Sequence, residues 1–77
     1  MDIKVKVIDW FKSVSGKKDF SLELNYFDQD LIDSFDVILL MEFCESEFEI
    51  HFSETQFEDR RFSTINGLCE IIGELKE

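Results

Sequence analysis

Few residues in this chain are equipped for chemistry. There is one histidine, His51, and two cysteines, Cys44 and Cys69, with no spacing that pairs a nucleophile with a base. A single His and two Cys without a CxxC spacing make no zinc ligand set, and two thiols are too few for a disulfide-stapled scaffold. Both Cys fall on apolar faces of expected helices and read as buried core thiols. His51 reads as a loop residue without a special role. The chain by itself is therefore not expected to be an enzyme. The informative segment is Asp28-Gln29-Asp30-Leu31-Ile32-Asp33-Ser34-Phe35-Asp36. It sets a serine at the first turn of an acidic amphipathic helix, after a long loop and between apolar Ile32 and Phe35. Asp-Ser before a helix is also ordinary capping chemistry.

The elements that must position Ser34 can be read from hydrophobic spacing. Seventy-seven residues, 44% apolar with nine Phe, suffice for one core and predict a single domain over 1–77. Over residues 1–14, Ile3, Val7, Ile8, Phe11 and Val14 follow a helical stripe. Ile3 to Val7 also alternates like a strand, and Gly16 before Lys17 and Lys18 suits a helix C-terminus. Residues 15–33 form a long connection. Within it Phe20, Leu22, Leu24 and Tyr26 alternate with polar residues, as in an extended segment with one face on the core. Pairing of the two alternating segments as a hairpin would give a small α+β domain instead. Asp33 is an expected N-cap, with Asp36 favouring the helix dipole. Val37, Leu40, Met41, Cys44 and Phe48 make the next stripe, and Leu39 and Phe43 widen it beyond what one core needs. Ser53-Glu54-Thr55-Gln56 reads as a capping box, with Phe52 and Phe57 at the staple positions of a short helix. Ser63 or Thr64 then caps a last helix carrying Ile65, Leu68, Cys69, Ile72 and Leu75. The expected fold is all-α, with three main helices, one short helix and a long first loop.

Charge narrows the function classes. Eighteen acidic against eight basic residues leave a net charge of −10, which repels phosphate backbones and anionic membranes. Between Asp28 and Asp59 there are eleven Asp or Glu and no Lys or Arg. Such segregation makes either a solvated face or a docking surface for basic partners. The longest apolar run is only Val37 to Met41, so no transmembrane span or signal peptide is expected, and the expected address is the cytoplasm.

Asp33-Ser34-Phe35, then Val37-Ile38-Leu39-Leu40-Met41 and Glu45-Ser46-Glu47-Phe48, resemble the acyl and peptidyl carrier proteins, small acidic domains that carry intermediates on a 4′-phosphopantetheine arm. The likeness runs from about Phe27 to Leu75. Leu31-Ile32-Asp33-Ser34 and Phe57-Glu58-Asp59-Arg60 look most like the D-alanyl carrier branch. The first helix, the first loop and Ile32 before Asp-Ser depart from the common pattern. The resemblance implies an acyl-carrier-like bundle in which Ser34 is esterified to phosphopantetheine from coenzyme A by a separate phosphopantetheinyl transferase that uses magnesium. Asp33 would help hold that ion, a role suited to a hard cation. The free N–H groups and positive dipole of a helix N-terminus would face the phosphodiester. An acyl- or aminoacyl-loading enzyme and downstream biosynthetic enzymes would dock through Phe35, Asp36, Ile38, Leu39, Glu42, Glu45 and Glu49. No nucleic acid, no membrane insertion and a monomer are expected. The alternative is an acidic interaction or inhibitor module, mimicking nucleic acid, that acts without modification.

Overall fold

The N-terminal stretch that suits both helix and strand folds as a helix. A computed structural model describes residues 3–76, so the first two positions of the expected 1–14 helix lie outside the described residues. Helix α1 runs Ile3–Ser15. It buries Val7 and Phe11 completely, a pair one helical turn apart, while Val5 stands half exposed. A strand would have put Val5 and Val7 on the same face, so the i, i+4 pairing prevails over the β-branched propensity. Val14, expected on the buried stripe, is exposed. It lies past the last buried turn, where Gly16 takes φ +72° and closes the helix by donating its N–H to the Lys12 carbonyl at 3.0 Å.

The connection to the second helix is long, as expected, but the alternation within it does not produce a strand. Leu24 is 62% exposed and Tyr26 fully buried, and the described residues contain only one isolated antiparallel bridge, Asn25 with Thr64. No hairpin forms. Discrete bonds pin the loop instead. The Tyr26 hydroxyl donates to the Phe62 carbonyl, and its N–H donates to the Ser63 carbonyl at 3.0 Å. The Asn66 N–H reaches the Leu22 carbonyl at 2.9 Å. Gln29 donates its amide to the carbonyls of Ser21 and Leu24 at 2.9 and 3.1 Å, and accepts the Ser21 N–H at 2.7 Å. Asn25 closes a side-chain turn on the N–H of Phe27 at 2.7 Å.

Helix α2 spans Asp36–Phe48 and buries Leu40, Cys44 and Phe48, with Val37 and Met41 at the margin of the core. It ends with Glu49 at φ 55°, where the N–H groups of Glu49 and Ile50 converge on the Glu45 carbonyl. Lys76 adds its ammonium to the Phe48 carbonyl at 3.2 Å, a cation at the negative end of the helix. Helix α3 is the short one, Glu54–Glu58. The capping box at Ser53 is present, with Gln56 accepting the Ser53 N–H at 2.7 Å, and the staple rings of Phe52 and Phe57 lie 6.4 Å apart. A 3₁₀ turn, Arg60–Ser63, leads into α4, Ile65–Lys76. Of the two expected caps Thr64 serves, its hydroxyl oxygen accepting the Gly67 N–H at 3.0 Å.

Helix α4 is the hub, packing against α1, α2 and the 3₁₀ turn. Its face of Ile65, Leu68, Ile71 and Ile72 joins Val7, Phe11, Tyr26, Leu40, Cys44, Phe48 and Phe62 in one core. Each such side chain contributes roughly 1.5–3 kcal/mol through apolar surface removed from water. Rings knit the elements together. Phe11 meets Tyr26 at 5.2 Å, and Trp10 of α1 stacks on Phe43 of α2 at 6.0 Å. Phe43, one of the two residues in excess of a single core stripe, is thus committed to packing, whereas Leu39 is not. The fold is an all-α small bundle, with no strand among the described residues.

Candidate functional site

The turn that carries Ser34 is clamped from both sides. Leu31 and Ile32 are buried before it, and Val37 and Leu40 anchor the helix after it. Between those anchors Asp33, Ser34 and Phe35 are all exposed. The Ser34 hydroxyl therefore stands in solvent at the start of α2, with no hydrogen-bond partner among the described residues.

Asp33 acts as the cap. Its Oδ1 accepts the N–H groups of Phe35 and Asp36 at 2.9 and 3.0 Å, and its carbonyl accepts the Val37 N–H at 3.3 Å. Asp36 reciprocates, its Oδ2 accepting the Asp33 N–H at 3.2 Å. The result is a capping box built from two carboxylates rather than from Ser/Thr and Glu. This changes one expectation. The first-turn N–H groups are not free to face a phosphate, since a carboxylate already occupies two of them. The positive end of the helix dipole is met by Asp33 and Asp36. Among the described residues only the N–H of Ser34 itself lacks a partner there. A phosphate on Ser34 would sit in solvent beside two anions, not in a cradle of donors. Asp33 uses only Oδ1 in capping, which leaves Oδ2 open to a hard cation without loss of the cap.

Around Ser34 the surface is apolar, bounded by acid. Phe35 is 79% exposed, Ile38 57% and Leu39 52%, three large apolar side chains within the first turns of one helix. Glu42 is exposed one turn further on. The remaining expected docking residues are less free. Glu45 is half-buried, and its Oε2 accepts the Phe52 N–H at 3.0 Å. It lies 3.8 Å from Nδ1 of His51, whose side chain is 98% exposed. Glu49 is exposed but forms the left-handed close of α2. Glu47 pairs with Lys6 of α1. The structure thus places Phe35, Asp36, Ile38, Leu39 and Glu42 around the Ser34 turn and sets Glu45 and Glu49 at the far end of the helix, where backbone closure employs both.

The cysteines lie apart from this surface. Cys44 is fully buried and its thiol is pushed up to about 12, first by burial and then by Cys69 and Glu45, which keeps it protonated. Cys69 forms no disulfide and lies half-buried against the core. No group of His, Cys, Asp or Glu among the described residues is arranged to hold a metal ion, and no helix there is long and apolar enough to cross a membrane. No protein-family model matches the chain, and no curated protein matches it at a significant level.

Proposed function

We propose that this chain is a carrier protein that holds acyl or aminoacyl intermediates as thioesters on a 4′-phosphopantetheine arm attached to Ser34, and hands them to separate biosynthetic enzymes. The observation that carries the proposal is the solvent-exposed hydroxyl of Ser34, without a hydrogen-bond partner among the described residues, on a turn clamped between buried Leu31–Ile32 and the body of α2. A hydroxyl meant for modification by another enzyme has to enter that enzyme's site without unfolding its own domain, and this one can. The order of elements supports an acyl-carrier-like arrangement: long helix, long pinned loop, helix opening on Asp-Ser, one-turn helix, last helix.

The residues present suit the group. The Ser34 hydroxyl would give up its proton to a base of the transferase as Oγ bonds to the phosphorus of coenzyme A that carries the pantetheine. The pyrophosphate P–O bond would break, and the nucleotide would leave as its bisphosphate. Once attached, the arm supplies a terminal thiol for thioester exchange. Asp33 would cap the helix through Oδ1 while its second oxygen meets the magnesium ion of the transfer step. Phe35, Ile38 and Leu39 would give partner enzymes an apolar contact. Glu42, exposed one turn beyond Ile38, would offer its charge to basic partner surfaces, a pattern that favours fast, weak encounters.

The test is intact mass after incubation with coenzyme A, magnesium and broad-specificity phosphopantetheinyl transferases. The wild type should gain the mass of one phosphopantetheine, and Ser34→Ala should gain none. A wild type left unmodified by several transferases would overturn the proposal. So would modification that persists in Ser34→Ala.

A further inference from the structure

We infer that Asp36 is a positioning residue for the modification of Ser34, acting through its hydrogen bond to the Asp33 N–H rather than through its charge. The inference rests on the carrier reading and adds a specific role within it. Ser34 and Phe35 are the two central residues of a turn whose ends, Asp33 and Asp36, are tied in both directions. Asp33 Oδ1 reaches the N–H groups of Phe35 and Asp36 at 2.9 and 3.0 Å, and Asp36 Oδ2 returns to the Asp33 N–H at 3.2 Å. Asp36 is half-buried whereas Asp33, Ser34 and Phe35 are exposed, so it is the least solvent-facing member of the four. A solvated charge meant for a partner would point outward. This carboxylate spends an oxygen on the backbone next to the serine.

The consequence is entropic. Among the described residues the Ser34 hydroxyl has no hydrogen-bond partner, so its direction follows from the backbone turn. Removing the acceptor at position 36 frees the Asp33 N–H and lets the turn sample other conformations, each of which must be given up when a transferase grips Ser34. An asparagine keeps an oxygen acceptor at the same place and removes the charge. A docking role for the carboxylate would make the opposite demand.

Initial rates of phosphopantetheine attachment, followed by intact mass at low and high salt, separate these roles for wild type, Asp36→Ala and Asp36→Asn. Amide hydrogen exchange at Asp33 is read on the same three proteins, and circular dichroism verifies that all are folded. Positioning predicts that Asp36→Ala loses about tenfold in kcat/KM and loses protection at the Asp33 N–H, while Asp36→Asn stays within about twofold of wild type at both salts. Equal slowing of both variants, relieved at high salt, would assign Asp36 to charge recognition and overturn the inference. An Asp36→Ala rate equal to wild type would overturn it too, and leave the carrier reading intact. An unmodified wild type would overturn both.

Discussion

The carbonyl oxygen of Arg61 lies so close to Gly67 that a β-carbon on Gly67 would stand 2.1 Å from it, with the Arg61 α-carbon at 2.6 Å. The 3₁₀ turn and the first turn of α4 touch backbone to backbone at this point. A side chain can swing away from an intruding methyl group, but a main chain anchored by Phe62 and the Asp59 cap cannot without moving the turn. Gly73, on the same helix, has nothing within 4 Å of the corresponding position. Gly67→Ala should therefore cost about 1–3 kcal/mol through overpacking, outweighing its gain in helix propensity. Gly73→Ala should stabilise by about 0.5–1 kcal/mol. Urea unfolding of both variants checks the pair, and equal shifts of the same sign would show that the close approach is not rigid.

Which parts of this fold were legible follows from the range of the interactions that make them. The Ser53 capping box, the Phe52–Phe57 staple, the Asp33 cap and the stripe of α4 all lie within a few residues of chain, and the sequence displays both partners side by side. At Gly67 the helix-propensity penalty was visible, but its reason lies across space at Arg61. The loop before α2 misled in the same way. Its alternating pattern suggested an extended segment, whereas its shape is set by Tyr26 reaching Phe62, Asn66 reaching Leu22, and Gln29 folding back on Ser21. The site was half legible. Its serine and cap were written locally, but the occupation of the first-turn N–H groups by Asp33 depends on a rotamer, and the sequence does not state rotamers.

Tyr26 should make the protein sensitive to alkali. Its side chain is fully buried, and burial, then Cys44, raises its phenol above the ordinary value of 10.0. Above about pH 10 the unfolded chain gives up this proton and the native one keeps it, so the unfolded state binds fewer protons and stability falls as pH rises. Below that pH the contribution is fully present. As the chain's one tyrosine, Tyr26 can be followed by tyrosinate absorbance, which should emerge only with unfolding. Tyr26→Phe should cost about 1 kcal/mol at neutral pH, because the Phe62 carbonyl loses its donor, and should remove this part of the alkaline slope. A tyrosinate signal appearing in the native state near pH 10 would contradict the burial.

Arg61 joins the 3₁₀ turn to α4 through two carboxylates. It meets Asp59 at 2.8 Å and Glu74 at 2.6 Å. Hydrogen bonds from Arg61 hold both carboxyls below their ordinary values, 3.8 for Asp59 and 4.5 for Glu74. Their contribution is present above those values and is lost as pH falls through the lowered ones, since the unfolded chain takes up protons first. Glu74→Gln should lower stability modestly at neutral pH, converge with wild type in acid and so flatten the acid limb, and added salt should shrink the difference. Urea midpoints measured from neutral pH down to pH 3 test this. An unchanged acid limb would mean that the pair with Glu74 does not persist in solution.

Phe35, Ile38 and Leu39 allow the proposed docking role to be tested apart from stability. An apolar side chain that supports the core loses about 2–5 kcal/mol on truncation to alanine, as expected for Leu40 at 0% exposure. Phe35, Ile38 and Leu39 are each more than half exposed, so little apolar surface is lost on truncation and stability should move by no more than about 0.5 kcal/mol. If these side chains serve partner enzymes that service the Ser34 arm, their alanine variants should still unfold like wild type yet be modified and loaded more slowly, with the loss in KM rather than kcat. Leu40→Ala should show the reverse, a lowered unfolding midpoint with normal modification wherever it remains folded. Normal modification and loading in a Phe35, Ile38 and Leu39 triple-alanine variant would remove this patch from the docking surface, and would leave acidic residues such as Glu42 to guide the encounter.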